Sequence, residues 1–310
     1  MQTRALSVMV IGLILFCTLS GLAREIHLPA EGVLSGHVVI ADWFYRVEKD
    51  AVIPRDFHAW PGDRGWKSAD WFDVRIEAHP GDVIVLAPGI YKADIWVYTP
   101  HLTVTTDPDD EERLAEIWGT LEIDADAVTL DRIAVIGGRK EGSSGHGIEI
   151  NREFVDRMTI RDCRSENNEW TGIHLIGPRG EIQELRVEGC EIIGNGLDGL
   201  DAQSIQHLVL ADCLITGNGW NNPVGVGVRV GSYMGAVDIR RCEISENAMD
   251  GLSAKSSNYL YVAECTIVQN GTSNTEGVGI RIGVGVETFV EHENVVSQNR
   301  FADVYYEEEE

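Results

Sequence analysis

Leu185-Arg186-Val187-Glu188-Gly189-Cys190-Glu191-Ile192-Ile193-Gly194-Asn195 is soon followed by Leu208-Val209-Leu210-Ala211-Asp212-Cys213-Leu214-Ile215-Thr216-Gly217-Asn218. In both stretches apolar residues stand five and three positions before the cysteine and two after it. An asparagine stands five after it. The same phrase pairs Cys163 with Asn168, Cys242 with Asn247 and Cys265 with Asn270, and a sixth copy has Asn294 in the cysteine slot and reaches Asn299. A glycine-led strand accompanies each copy, as in Gly147-Ile148-Glu149-Ile150, Gly172-Ile173-His174-Leu175, Gly199-Leu200-Asp201-Ala202 and Gly227-Val228-Arg229-Val230. Gly251-Leu252-Ser253-Ala254 and Gly279-Ile280-Arg281-Ile282 continue the series. Self-similarity at a period of roughly 23 to 29 residues means stacked units, none of which buries its apolar side alone.

Alternation of period two on both sides of a phase break at the cysteine describes short strands that meet at a bend and face one interior. The glycine-led strand supplies a third side, so each repeat is a triangular coil. The asparagine column falls at a tight bend, where it is expected to tolerate left-handed backbone and to bond the next coil through its amide. The recurring cysteines sit beside apolar positions, as small buried side chains do. No CxxC pair occurs and no histidines stand at metal-ligand spacing around the cysteines, so the reading is of free thiols and of no metal site.

Upstream, Gly81-Asp82-Val83-Ile84-Val85-Leu86-Ala87-Pro88-Gly89-Ile90-Tyr91 is a strand closed by a Pro-Gly turn. Together with the Cys/Asn repeats it resembles the opening coil and body of right-handed parallel β-helix proteins, the pectate-lyase-like superfamily. The resemblance covers roughly residues 68–303. It implies an all-β fold, a single-stranded right-handed parallel β-helix. It says less about function, because that fold hosts lyases, hydrolases, epimerases, adhesins and periplasmic maturation factors.

The rest of the chain starts or ends the stack. Residues 1–23, with Arg4, the apolar run Leu6 to Leu19 and the small residues Gly21-Leu22-Ala23, read as an export signal, which places the mature chain in a periplasmic or extracellular space. Residues 24–67 form a loop-rich N-terminal segment. Ser68 reads as the N-cap of a short helix over Ala69–Ala78 that covers the open end of the stack. Residues 304–310, rich in glutamate, read as a disordered acidic tail. The formal charge of −25 argues against nucleic acid or an anionic membrane as partner. The apolar run is short for a stable membrane anchor, and the protein is expected to act as a monomer.

Outward residues of successive coils stack about 4.8 Å apart. The glycine-led strands therefore present a column Glu149, His174, Asp201, Arg229, Ser253, Arg281, and two residues later a column Asn151, Ile176, Gln203, Gly231, Lys255, Gly283. The excursions 219–225 and 271–277 leave their coils at matching places and should overhang the same side. In the resembling enzymes this strand face forms a polysaccharide groove, which makes an extended cell-surface glycan or polysaccharide the expected partner. A lyase needs a base and a positive charge or Ca²⁺, and His174, Arg229, Arg281 or Lys255 supply the protein's share. A hydrolase needs two carboxyl groups. Glu149 and Asp201 lie two coils apart, on the order of 10 Å, near the separation of inverting enzymes. The catalytic candidates are thus Asp201, Arg229, His174 and Glu149, with Arg281, Lys255, Gln203 and Asn151 binding substrate.

Two readings follow. One is an exported protein that binds a polysaccharide and cleaves it as a lyase or hydrolase. The other is a non-catalytic β-helix, a surface scaffold or binding module, whose stacked charges only stabilise a solvated sheet. Gly145-His146-Gly147 resembles a fragment of the polygalacturonase signature, without the acidic pairs that belong before it, and the arginine-proline motif of pectate lyases is missing.

Overall fold

The computed structural model describes residues 24–28, 35–41, 46–48, 51–53, 74–110, 113–137, 145–151, 155–176 and 182–308. The expected export signal, Ser68 and the aromatic-rich stretch from Trp43 to Trp66 (apart from 46–48 and 51–53) lie outside these residues. Among the described residues there is no helix, and every strand pairing but one, the hairpin Arg46–Glu48 with Ala51–Ile53, is parallel. The fold is an all-β right-handed parallel β-helix with three faces.

One face is a ten-stranded sheet that includes Arg157–Arg161, Ile182–Glu188, Ile205–Ala211, Ala236–Arg240 and Tyr259–Ala263. We call it the long face; each of these strands ends just before a cysteine bend. The short face follows the cysteines, with Arg164–Glu166, Glu191–Ile193, Leu214–Thr216, Glu243–Ser245 and Thr266–Val268. The glycine face closes the coil, with Ile148–Asn151, Ile173–Ile176, Leu200–Ala202, Val228–Val230, Leu252–Ser257 and Val278–Val286.

The apolar positions of the repeat fill the interior. Leu185, Val187 and Ile192 of one coil and their successors Leu208, Leu210 and Ile215 are all at most 1% exposed. Ile173 and Leu175 close the same core from the glycine face. Burying a side chain of this size is worth about 1.5–3 kcal/mol, and each coil repeats the set.

The bends use left-handed backbone. The residue before each cysteine has positive φ, from 50° at Arg241 to 64° at Gly189, and so does the residue before each asparagine, from 54° at Asn167 to 67° at Gly217. The expectation for the asparagine bend is therefore off by one position. The left-handed residue precedes the asparagine, whose own side chain turns inward.

There the asparagines form a buried ladder. Nδ2 of Asn168, Asn195, Asn218, Asn247 and Asn270 each donates to Oδ1 of the next asparagine, at 2.8, 2.9, 3.0, 2.9 and 3.0 Å. The same Oδ1 also accepts the backbone N–H of the asparagine below, as Asn218 Oδ1 does from Asn195 at 3.0 Å. From Asn195 onward each amide's second proton reaches a main-chain carbonyl, as Asn218 Nδ2 reaches Ile192 O at 3.1 Å. The cysteines stack in parallel, free and buried. Hydrogen bonding to the Cys213 sulfur, with burial, pushes the Cys242 thiol up to about 12.

The leading glycines follow from the ladder. A Cβ on Gly199 would lie 2.6 Å from Gly227 O and 2.9 Å from Asn218 Nδ2, and one on Gly227 would lie 2.7 Å from Asn247 Nδ2. No side chain fits where the amide column passes.

Both ends correct the expected boundaries. The helix expected over Ala69–Ala78 is not formed in its described part. Val74–Glu77 is a strand paired with Ser35–Ala41, and alternation puts Ile76 in the core at 7% exposure. Glu25–Leu28 pairs with Val83–Leu86, and Ser35–Ala41 also pairs with Gly89–Val97, so the solenoid begins before residue 68. At the other end Ala302–Tyr306 continues the glycine face beside Val278–Val286, past the boundary drawn at residue 303.

Asn218→Ala removes an acceptor used by two N–H groups and a donor used by two carbonyl oxygens, all inside the stack. Buried polar groups left unmatched cost about 1–3 kcal/mol each, so a loss of about 3 kcal/mol or more is expected as a lower urea midpoint. An unchanged midpoint would mean that the ladder adds nothing to stability.

Candidate functional site

The register on the glycine face confirms the outward column. Glu122 pairs with Glu149, Glu149 with His174, His174 with Asp201, Asp201 with Arg229, Arg229 with Ser253 and Ser253 with Arg281. Tyr305 extends it beyond Arg281, and Trp96 precedes Glu122, to which its indole donates at 2.6 Å. Of the second column, Asn151 lies beside Ile176 in the register. Gln203 is half-buried and Lys255 exposed.

The column divides into two regions. In the first, His146 joins Glu149, His174 and Asp201. Its ring stacks on His174 with centroids 4.0 Å apart and an 18° tilt. His146 Nε2 lies 4.0 Å from Glu149 Oε1, and His174 Nε2 lies 3.9 Å from Asp201 Oδ2. The Thr171 N–H donates to His146 Nδ1 at 3.1 Å, which leaves the ring proton on Nε2, turned toward Glu149. Burial, reinforced by the neighbouring His174, lowers the His146 pKa to about 3. His146 is therefore neutral near pH 7, and its contact with Glu149 is no ion pair.

His146, Glu149 and His174 bring three donor atoms within 4.8 Å of one another. The set does not suit a metal ion. A ligating histidine ordinarily donates its second ring N–H, whereas His146 Nδ1 already accepts one. Ca²⁺ takes six to eight oxygen ligands, and this group offers one carboxylate. It sets two carboxyl groups and two imidazoles beside one another on successive coils, with imidazole nitrogens 4.0 and 3.9 Å from carboxylate oxygens.

In the second region the arginines are engaged. Arg229 grips Asp198 through Nε and Nη2 at 2.7 and 2.8 Å, and Arg281 grips Asp250 at 2.6 and 3.0 Å. Asp198 and Asp250 are each 1% exposed and also accept the N–H groups of Val226 and Val278. Each arginine then reaches a carbonyl of its excursion, Val224 O at 3.3 Å and Glu276 O at 2.9 Å. These four side chains are two copies of one latch that fastens an excursion to the stack, and Asn274 Nδ2 to Pro223 O at 3.4 Å links the two excursions on one side. The guanidinium groups expected to serve catalysis at Arg229 and binding at Arg281 are thus already paired. Both keep their place in the column, but their charge serves a buried carboxylate. Arg229, Ser253, Lys255, Arg281 and Glu307 line a shallow depression above the latches.

Two features escape a reading by residue spacing. His146 stands outside the column count, and only the stacking of coils sets it against His174. The exposed tryptophans, Trp118 at 40%, Trp170 at 44% and Trp220 at 57%, all precede a glycine-face strand, a recurrence that the sequence does carry.

Residues 123–232 match the family model described as right handed beta helix region. No curated protein matches the chain. Among solved structures the chain is similar to the A-module of the mannuronan C-5 epimerase AlgE6 of Azotobacter vinelandii, with 12% identity, a TM-score of 0.36, and coverage of 93% of this chain and 92% of that one. The likeness is distant, and the fold stands on the strand register itself. Among the described residues no helix is long and apolar enough to cross a membrane.

The His146 environment has a pH signature. Its pKa in the fold, about 3, lies below the ordinary 6.5, so the unfolded chain binds a proton that the fold excludes. This contribution to stability is complete above the unfolded pKa and is lost as pH falls from about 6.5 toward 3, by up to about 1.4 kcal/mol per pH unit. Urea midpoints measured across that range should fall less steeply in His146→Gln than in the wild type. Parallel curves would remove the buried neutral imidazole.

Proposed function

We propose that the protein is exported, binds an extended polysaccharide along the glycine face, and hydrolyses it at Glu149 and Asp201. The observation that carries this reading is the convergence of His146, Glu149, His174 and Asp201 on successive coils of one outward column. Export is supported by the leader-like residues 1–23.

Glu149 and Asp201 stand two strand spacings apart, about 10 Å between backbones, which approaches the separation that admits a water beside the scissile bond. Their surroundings differ, with the Glu149 side chain 6% exposed and that of Asp201 18%. Burial favours the uncharged form of a carboxyl group, so Glu149 is assigned as the proton donor to the leaving oxygen. Asp201, the more open, takes the proton from water as it attacks the anomeric carbon. His146, neutral and with Nε2–H turned toward Glu149, borders that carboxyl group at 4.0 Å. His174 lies between the two, its Nε2 3.9 Å from Asp201 Oδ2, and solvent returns the proton from Asp201 to Glu149 after each turnover.

Hydrolysis fits these residues better than a lyase reaction. A lyase needs a positive charge on the anion it forms; Arg229 and Arg281 are bound to Asp198 and Asp250, and Lys255 stands on the strand two coils past Asp201, away from Glu149. The same engagement favours, as a second reading, a non-catalytic binding module with the same ligand.

Products separate the two. Purified residues 24–310, incubated with a panel of polysaccharides, should release oligosaccharides carrying one added water by mass spectrometry. Glu149→Gln and Asp201→Asn should each lower the rate by about 10²-fold or more while binding persists. Unsaturated products would instead indicate elimination. No product from any bound glycan would leave the binding module.

A further inference from the structure

The tryptophans belong to a second column that runs beside the ionisable one. Leu121, Ile148, Ile173 and Leu200 are in register on the glycine face, as are Val228, Leu252, Ile280 and Val304 further along. Three residues before them stand Trp118, Gly145, Trp170, Leu197, Gly225, Met249, Gly277 and Phe301. Backbone bonds tie several neighbours, Trp170 N to Gly145 O at 2.9 Å, Leu197 N to Trp170 O at 3.1 Å and Phe301 N to Gly277 O at 2.8 Å. Every side chain in this row is apolar or absent. Trp118, Trp170 and Phe301 are exposed, while Leu197 and Met249 are half-buried.

The glycine between the first two indoles has a steric role. A Cβ on Gly145 would lie 2.3 Å from Trp170 Cδ1, so the indole rests against bare backbone and still presents 44% of its surface to solvent. Trp118, two coils away, is oriented by a bond from its Nε1 to Glu116 at 3.0 Å. The strands that follow the two indoles are thus about 10 Å apart along the axis. Large exposed apolar side chains usually occur singly, and a row of them marks a contact surface.

We infer that this edge binds the apolar faces of a neutral, extended glycan, which fixes the substrate class of the reading proposed above and rests on it. A sugar ring carries C–H groups on one face and hydroxyls around its rim, so a chain of rings matches an aromatic edge lying beside a polar column. Neutrality follows from charge. The neighbouring column contributes the carboxylates of Glu122 and Asp201, the chain as a whole carries −25, and the two arginines of the column are bound to Asp198 and Asp250, while Lys92 is the cation beside the edge, 5.9 Å from the Trp118 ring centroid. A polyuronate chain on the edge would meet like charge along the catalytic half.

Affinity electrophoresis in native gels tests the proposal with soluble neutral glycans (glucans, mannans, xylans) and with polyuronates as separate additives. Neutral glycans should retard the wild-type protein, and Trp118→Ala and Trp170→Ala should each weaken the retardation by about tenfold, the scale of a lost aromatic contact. Tyr259→Ala, exposed on the long face, should bind as the wild type does. Retardation by polyuronates but not neutral glycans, or equal binding by the Trp118 and Trp170 variants, would overturn the inference. Tryptophan-dependent binding with no product would sink the proposed hydrolysis and leave this edge standing. Wild-type protein that binds neither class would overturn both.

Discussion

From Asn195 to Asn299 each asparagine of the ladder presents one carboxamide oxygen that must satisfy two N–H groups from the coil below, and the coils of the repeat are arranged around it. Asn218 Oδ1 receives both the side-chain and the backbone N–H of Asn195. Such an oxygen has to lie at the same height and angle in every coil, because an unmatched amide in a dry interior costs more than a solvated one. The left-handed residues before the asparagines turn the chain to present it, and the leading glycines clear space for it. Once that geometry recurs, the strands on either side are held in register without further instruction.

Register is what makes a surface column possible. On an ordinary sheet one slipped residue reverses the faces, whereas here each glycine-face strand from Ile148–Asn151 to Val278–Val286 starts from a fixed amide. Glu149, His174 and Asp201 are brought side by side from three separate repeats by the interior. The two Asp–Arg latches use the same regularity, since each joins residues 31 apart at equivalent places in its coil.

The solenoid itself was open to reading because its signals are local and repeated: period two within strands, a phase break at cysteine, glycine at the third side. The column followed from counting along those strands. What failed did so for nameable reasons. Trp71, Phe72, Val74 and Ile76 make a short apolar run that fits helix or strand equally, and the partner that decides it, Ser35–Ala41, is distant in sequence. The left-handed residue was placed one position late because asparagine is itself a common occupant of that conformation. Arg229 and Arg281 read as available charges because their partners, Asp198 and Asp250, stand before glycine and look like turn residues. His146 belongs to no period, and only the stacking of coils sets it against His174.

The ladder also has a direction. Each ladder amide from Asn195 onward turns its oxygen toward the N-terminal end of the stack, and those before Asn299 give one N–H to the next amide on the C-terminal side, so the side-chain carbonyl dipoles add along the axis as peptide dipoles do in a helix. The positive end of this array emerges at Asn299, the last member, and there Nδ2 faces the Asp303 carboxylate at 3.3 Å. The interior of the stack is therefore polarised along the ladder, from Asn168 to Asn299. Its last coil carries the counterpart of an N-cap, with the sense of the chain reversed.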